Sequence, residues 1–501
     1  MYPHWSSRIK LISKETSVLT GLIIVSLLIR LVAIGSIDLI AEEAYYWNYA
    51  NHLDFGYLDH PPMVAVLIKL STLVFGINEF GVRFTSILCW FVCVFFSYKL
   101  TELIRPQAGK NAVLLLAILP FFFIHSLIIT PDLPLIACWS ATLYYLYLAL
   151  IKNERTAWYQ VGLWLGLGML SKYTIALLGL ATLIYMISIK DARRWFFSPQ
   201  PYLAVLISIF IFSPVIYWNA THEWVSFLFQ STRRLSAQES FSFHALLALF
   251  GLFLTPVGIW GFVTLFKRPK KSPRQLNKTT LRFLQIYSLT PLIIFALFSL
   301  THEIKFNWIG PSLLAIVPWL AALDSPIMRK GWMITSISLL FFYIAMLCCL
   351  RLGTPEVAYR AFLNKYIDWN DFNQQIYNIA TKAEKQLHAS ISLIPLDRYN
   401  IASELSFYQA KSLAENKASH SHSVIGMDIF GYESLMYRYW TKEKVFTDKI
   451  ALLISVEPTL FEREDIVNKF TVLSSTQTFW AHNQGKADNI TPYYYQIVKL
   501  R

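Results

Sequence analysis

The chain has 501 residues, 55% of them hydrophobic and only 15% charged, with a formal net charge of +13. Soluble domains carry about a quarter charged residues, so this balance excludes an ordinary globular protein. The basic excess does not point to nucleic acid. Residues 1–350 hold 27 Lys+Arg against 15 Asp+Glu, whereas residues 351–501 hold 17 against 16, a bias that membrane topology explains better.

Apolar runs mark spans, or parts of spans, at 17–29, 88–98, 113–129, 133–151, 174–189, 202–217, 245–266, 283–300, 308–323 and 332–350. A bilayer crossing takes about 20 apolar residues. Arg30 follows the first run and no small-residue cleavage pattern precedes the next polar stretch. The run therefore reads as a retained first helix rather than a cleaved signal. Cys89, Cys93, Cys138, Cys348 and Cys349 all sit in apolar segments and imply no disulfide framework.

After the first run comes residues 37–63, IDLIAEEAYYWNYANHLDFGYLDHPPM, with Asp38, Glu42, Glu43, Asp54 and Asp59 and no lysine or arginine. AYYWNYANHL reads as a short amphipathic helix whose aromatic side chains suit a headgroup region. MVAVLIKLSTLVFG follows as an apolar helix, with Asp59 or His60 available as its cap ahead of Pro61 and Pro62.

With the N-terminus in the cytoplasm, the inner connections receive 19 basic residues, seven of them in KRPKKSPRQLNKTTLR. The outer connections receive four: Lys172, Arg233, Arg234 and Lys305. This asymmetry fixes the orientation and puts the acidic loop, Asp132, the 219–243 loop and the 302–307 turn outside. From about residue 351 the composition changes. DWNDFNQQIYNIATKAEKQL reads as an amphipathic helix capped by Asp368 or Asp371. ASISLIPL, KIALLISV, KFTVLSST and YYYQIVKL read as short strands. The expected organisation is an all-α polytopic membrane core over 1–350, with about eleven transmembrane helices, and an extracytoplasmic α/β domain over 351–501.

Glu42 and Glu43 open the loop helix. They either cap it and favour its dipole or present a general base to an incoming hydroxyl. Asp132, between Pro131 and Pro134, is either a helix cap or a functional acid beside the bilayer. Lys172, Arg233, Arg234 and Lys305 either hold a phosphate or diphosphate or meet lipid headgroups. Asp59, His60 and His222 together offer a possible divalent-metal ligand set; no other cofactor is indicated. His420 and His422 in SHSHS read as part of a polar loop.

EEAYYW, GYLDHPPMVA, FGINEFGVRF, TPDLPL, LSKYTI, WNATHEWVSFLFQ and KFNWIGP occur in order over about residues 38–311. This ordered set resembles the polyprenyl-phosphate-dependent glycosyltransferases of the GT-C fold, in the bacterial branch related to protein O-mannosyltransferases and the lipid A aminoarabinose transferase. The resemblance implies a first outer loop bearing the catalytic carboxylate, a sugar donor on undecaprenyl phosphate or a similar carrier, and an inverting displacement. It implies a lipid A, glycan or protein acceptor in the bacterial inner membrane, reached from the periplasmic side. It matches Glu42 to the first-loop acid, Asp59 to that loop's second acid and Asp132 to the acid of the next outer turn. Lys172, Arg83 and Lys305 fall on recurring basic positions. Relatives usually carry Asp-Glu where this chain has Glu42-Glu43, so either glutamate remains a candidate base. The rival reading is a transporter or flippase, which would place charges within spans. Arg30, Lys69, Arg83 and Lys99 are such charges, most of them able to snorkel, and no internal repeat accompanies them.

Overall fold

The computed structural model describes residues 3–232, 236, 240–267, 276–323, 325–352, 367–443, 449–483 and 486–501. Among them six helices are long and apolar enough to cross a membrane: Glu79–Ile104, Asp132–Leu150, Pro199–Thr221, Phe243–Thr264, Lys278–Phe298 and Pro326–Leu352. Tyr173–Ser188 and Lys190–Phe197, bent by 115° against each other, add a seventh if they count as one crossing. Shorter apolar helices lie at Ser17–Ala33, Met63–Phe75, Gly109–Ile118 and Gly310–Ala322. A helix satisfies its backbone groups internally, which hydrocarbon demands. Its outward side chains can then be wholly apolar: Phe210 is 79% exposed and Phe341 74%. The chain is a multi-pass membrane protein with the expected helical core.

Pro214, Pro256 and Pro291 lie inside three of these helices. Thr255, just before Pro256, has φ 62° and ψ 166°, so Phe243–Thr264 is two helical pieces joined at a kink.

The chain forms two compact units. The first comprises Met1–Val32, His60–Val64 and Thr85–Tyr343. Within it the Ala157–Met169 helix packs closely on Pro199–Thr221. Gly162 and Gly166 make this approach possible. A Cβ on Gly162 would lie 2.5 Å from the Ala204 carbonyl oxygen, and one on Gly166 2.8 Å from the Ile211 Cβ. Arg30, expected among the charges that snorkel, is instead fully buried. Its guanidinium donates to Ser126 Oγ at 2.5 Å, to the Ser26 carbonyl at 3.0 Å and to the Ala117 carbonyl at 3.0 Å. It also lies over the rings of Trp90 and Phe123, 4.6 and 4.5 Å from their centroids. These contacts replace water around a guanidinium in the last turn of its helix.

The second unit comprises Ala33–Asp59, Ala65–Phe84 and Ile344–Arg501. Its sheet has five strands: β1 (Ile391–Pro395), β2 (Ile450–Ser455), β3 (Phe470–Val472), β4 (Gln477–Asn483) and β5 (Lys486–Leu500). β1 and β2 are parallel; β5 runs antiparallel to β2 and, along its other edge, to β3 and β4. The four strand segments expected from the sequence are β1, β2, β3 and β5. β4 lies outside the expected strands, because QTFWAHN places polar, apolar and polar residues in blocks and shows no period-2 alternation.

Every residue of β1 and β2 is buried, and alternation decides which face each serves. Leu393, Leu452 and Ile454 face a core with Phe372, Ile376 and Leu405. Ile394, Ala451 and Leu453 face one with Phe461, Ile466 and Phe470. Two helices contribute to the first face, Trp369–Leu387 and Asn400–Ala414. Asp368 caps the former, accepting the Asp371 N–H at 2.9 Å. Asp397 caps the latter, accepting the Asn400 N–H at 2.6 Å. The outer face of Asn400–Ala414 packs on the loop helix Ala41–Asn51, with the Trp47 and Phe407 rings 5.2 Å apart.

Candidate active site

Two groups of buried polar side chains stand out, one in each unit. In the second unit the chain enters the loop helix Ala41–Asn51 with Glu42 exposed and Glu43 fully buried. Glu43 Oε2 accepts the Ile40 N–H at 3.2 Å, the reach-back of a capping box. The same carboxylate meets Arg83. Arg83 Nε donates to Glu43 Oε1 at 2.8 Å and its Nη2 to Oε2 at 2.6 Å. The other donors go to the carbonyls of Ile34, Ile37 and Asp38, at 3.2, 2.6 and 2.8 Å. A guanidinium's fork suits this combination of a bidentate carboxylate and diverging carbonyls. It pins the loop's entry and orients Glu43, and the neighbouring Glu42 is the carboxylate on the exposed side.

Asp59, at the far end of the loop, is buried. Its Oδ1 accepts hydrogen bonds from the hydroxyls of Tyr49 and Tyr45, the second at 3.2 Å. Burial pushes the Asp59 carboxyl above its ordinary range, opposed by these hydroxyls and by the charge of Arg398. Burial and the charge of Asp59 raise both tyrosines well above theirs. Tyr45 Oη also accepts the Met436 N–H at 3.2 Å. Asp38 accepts the Trp369 N–H at 2.9 Å and an amide proton from Asn370 at 3.0 Å. Lys411 Nζ reaches Glu79 at 2.6 Å.

Glu404 completes this region. It is fully buried on the Asn400–Ala414 helix, and neither carboxyl oxygen has a hydrogen-bond partner among the described residues. Burial, with the charges of Asp38 and Glu43 next, raises it well above the usual carboxylate range.

In the first unit Asp132 starts its helix and is buried, as is Lys172. Lys172 Nζ donates to Asp132 Oδ1 at 2.7 Å, and Asn307 Nδ2 donates to Oδ2 at 2.5 Å. His125 is buried and stacks on Phe306 with an interplanar angle of 8°. Its Nδ1 lies 2.9 Å from the Phe121 carbonyl. Lys305, two residues before Asn307, is exposed. His222 stacks on Trp218, and its Nδ1 is 2.8 Å from the Trp218 carbonyl.

The structure thus pairs Glu43 with Arg83 and Asp132 with Lys172. It places Asp59 in the second unit, and His60 and His222 in the first. Arg233 and Arg234 lie outside the described residues. Reasoning from charge passed over Asn307 and the two tyrosines because they carry none. It passed over Glu404 because a single acid in a helix reads as a solvated one; its apolar neighbours in IASELSF were the available signal.

Residues 59–218 match the family described as dolichyl-phosphate-mannose-protein mannosyltransferase. The lipid A galacturonosyltransferase RgtD of Rhizobium johnstonii is 25% identical over 189 residues, 37% of this chain and 39% of that protein. The chain therefore aligns with about two fifths of that relative's length. ArnT from Cupriavidus metallidurans, in the apo state, superposes with a TM-score of 0.64 at 14% identity, over 96% of this chain and 98% of ArnT. The same protein bound to undecaprenyl phosphate gives 0.63 over the same shares.

Proposed function

We propose, for a chain whose fold is that of the GT-C polyprenyl-phosphate-dependent glycosyltransferases, an enzyme that moves a sugar from a polyprenyl phosphate to an envelope acceptor, lipid A first among them. The observation that carries this reading is the likeness of fold to ArnT along nearly the whole chain. The shared segment with a lipid A galacturonosyltransferase supports the acceptor class. The charge asymmetry of the connections supports a bacterial inner-membrane protein with a cytoplasmic N-terminus and its acidic loop in the periplasm.

In this reading an acceptor oxygen attacks the anomeric carbon and the bond to the carrier's phosphate breaks, its electron pair leaving with the phosphate. Glu42 is the group that takes the acceptor's proton, or positions the acceptor when that acceptor is an already ionised phosphate. Its exposure supports this role. Glu43 and Arg83 act as positioning residues, each committed to the other and to the loop backbone. Asp59, whose Oδ1 accepts two tyrosine hydroxyls, holds the far end of the loop. Lys172, oriented by Asp132, and the exposed Lys305 are the cations assigned to the departing phosphate.

The test is transfer from a purified polyprenyl-phosphate donor by wild type, Glu42→Gln and Glu43→Gln in membranes. Loss of a general base costs about 10²–10⁴ in rate. Glu42→Gln is expected to lose kcat on that scale with its melting temperature unchanged. Glu43→Gln is expected to lower the melting temperature. Full activity in Glu42→Gln would remove it as the base.

A further inference from the structure

Within the second unit, three metal-ligating side chains from two separate segments meet: Glu384, His420 and His422. Glu384 lies in the last turn of the Trp369–Leu387 helix. Its Oε1 accepts the Ile391 N–H at 3.2 Å, where β1 begins, which fixes the carboxylate's rotation. Its Oε2 is turned to the two histidines, 3.0 Å from His420 Nε2 and 3.4 Å from His422 Nε2.

The histidines are two apart on an extended segment, so one face presents both. That segment is held in place by β1: the Leu393 N–H donates to the Ser423 carbonyl at 2.8 Å, and the Ile425 N–H to the Leu393 carbonyl at 2.9 Å. Val424 bridges Leu393 in parallel register. The His422 N–H is taken by Gln409 Oε1 at 2.7 Å.

A second layer orients the rings. His420 Nδ1 lies 3.1 Å from Ser419 Oγ, which in turn lies 3.0 Å from the Tyr377 hydroxyl. With its proton on Nδ1, His420 turns the Nε2 lone pair toward Glu384, the arrangement ligating histidines adopt. Tyr377 flanks both rings, its centroid 5.7 and 5.6 Å from theirs. The three side chains grade from buried to open, at 1% exposure for His422, 19% for Glu384 and 43% for His420, which leaves an ion a way in.

We propose that Glu384, His420 and His422 form a divalent transition-metal site of the zinc type. Two imidazoles and a carboxylate are a zinc donor set, with a fourth position for water. All three donor atoms lie within 4.8 Å of one another. Tetrahedral zinc with bonds of about 2.0–2.1 Å sets its ligands about 3.3 Å apart, close to the two separations between Glu384 and the histidines. The ion would clamp the Trp369–Leu387 helix to the 419–425 segment. Residues of that segment wall a cavity of about 400 Å³ whose other sides include Trp47, Asn48, His52 and Trp440. The clamp therefore fixes one wall of that cavity.

The experiment uses full-length protein in detergent without a polyhistidine tag, stripped with chelator, reloaded with Zn²⁺ and freed of excess by gel filtration. Metal content is read by mass spectrometry and stability by thermal unfolding. Wild type is expected to hold one more equivalent of zinc than either His420→Ala or Glu384→Gln. Chelator is expected to lower its melting temperature to that of His420→Ala, a variant that chelator leaves unmoved. Equal zinc in wild type and His420→Ala, or a chelator shift that persists in His420→Ala, overturns the site and leaves the three side chains as an ion-paired cluster.

Discussion

Glu42 and Glu43 are adjacent in sequence and opposite in circumstance. One is exposed; the other is buried against a guanidinium that also holds three carbonyls. Composition singles out the pair because the loop around it lacks any basic residue, yet nothing local says which glutamate turns inward. That is decided by Arg83, 40 residues further on. Replacing Arg83 with Met removes the guanidinium that balances a buried carboxylate, a change that costs about 3–5 kcal/mol. Thermal unfolding in detergent is expected to show that loss, and a variant as stable as wild type would contradict the clamp.

Glu404 gives a second residue-scale prediction. Its folded-state value is raised well above an unfolded one of about 4.3. Folding therefore favours its protonated form, and its contribution to stability is full below about pH 4.3 and shrinks as pH rises through the folded value. Glu404→Gln cannot ionise. Its melting temperature is expected to fall less than wild type's between pH 5 and 8, and parallel curves would show that Glu404 is already charged in the fold.

At the scale of elements, the Gly162 and Gly166 contacts set how close two helices come. Gly162→Leu drives a side chain into the Ala204 carbonyl, an overpacking worth about 1–3 kcal/mol. A lower melting temperature checks it; an unchanged one would mean that the helices part without cost. The periodic and apolar segments could be read from sequence at this scale. The apolar helices, the helix at Trp369–Leu387 with its Asp368 cap and four of the five strands follow from local pattern. What could not be read is pairing between distant segments. Nothing in AYYWNYANHL says that its partner is the Asn400–Ala414 helix. Arg30 looks like a side chain able to snorkel until Ser26, Ala117 and Ser126 are seen to surround it. SHSHS looks like a polar loop until Glu384 is seen beside it.

For the whole molecule, ordered short segments carried the fold further than composition did. The segments between residues 38 and 311 point to the GT-C fold, and the likeness to ArnT extends over 96% of the chain. That extent takes in most of residues 351–501, for which the sequence offered no resemblance. The activity proposed for the whole molecule is the transfer of a sugar. It is tested most directly by mass spectrometry of lipid A and envelope glycans from otherwise identical cells with and without this chain. Cells that make it are expected to gain one sugar on a lipid A or glycan species, and cells making Glu42→Gln are expected to lack that addition. An identical glycan profile with and without the chain would contradict a glycosyltransferase and favour movement of a lipid-linked substrate instead.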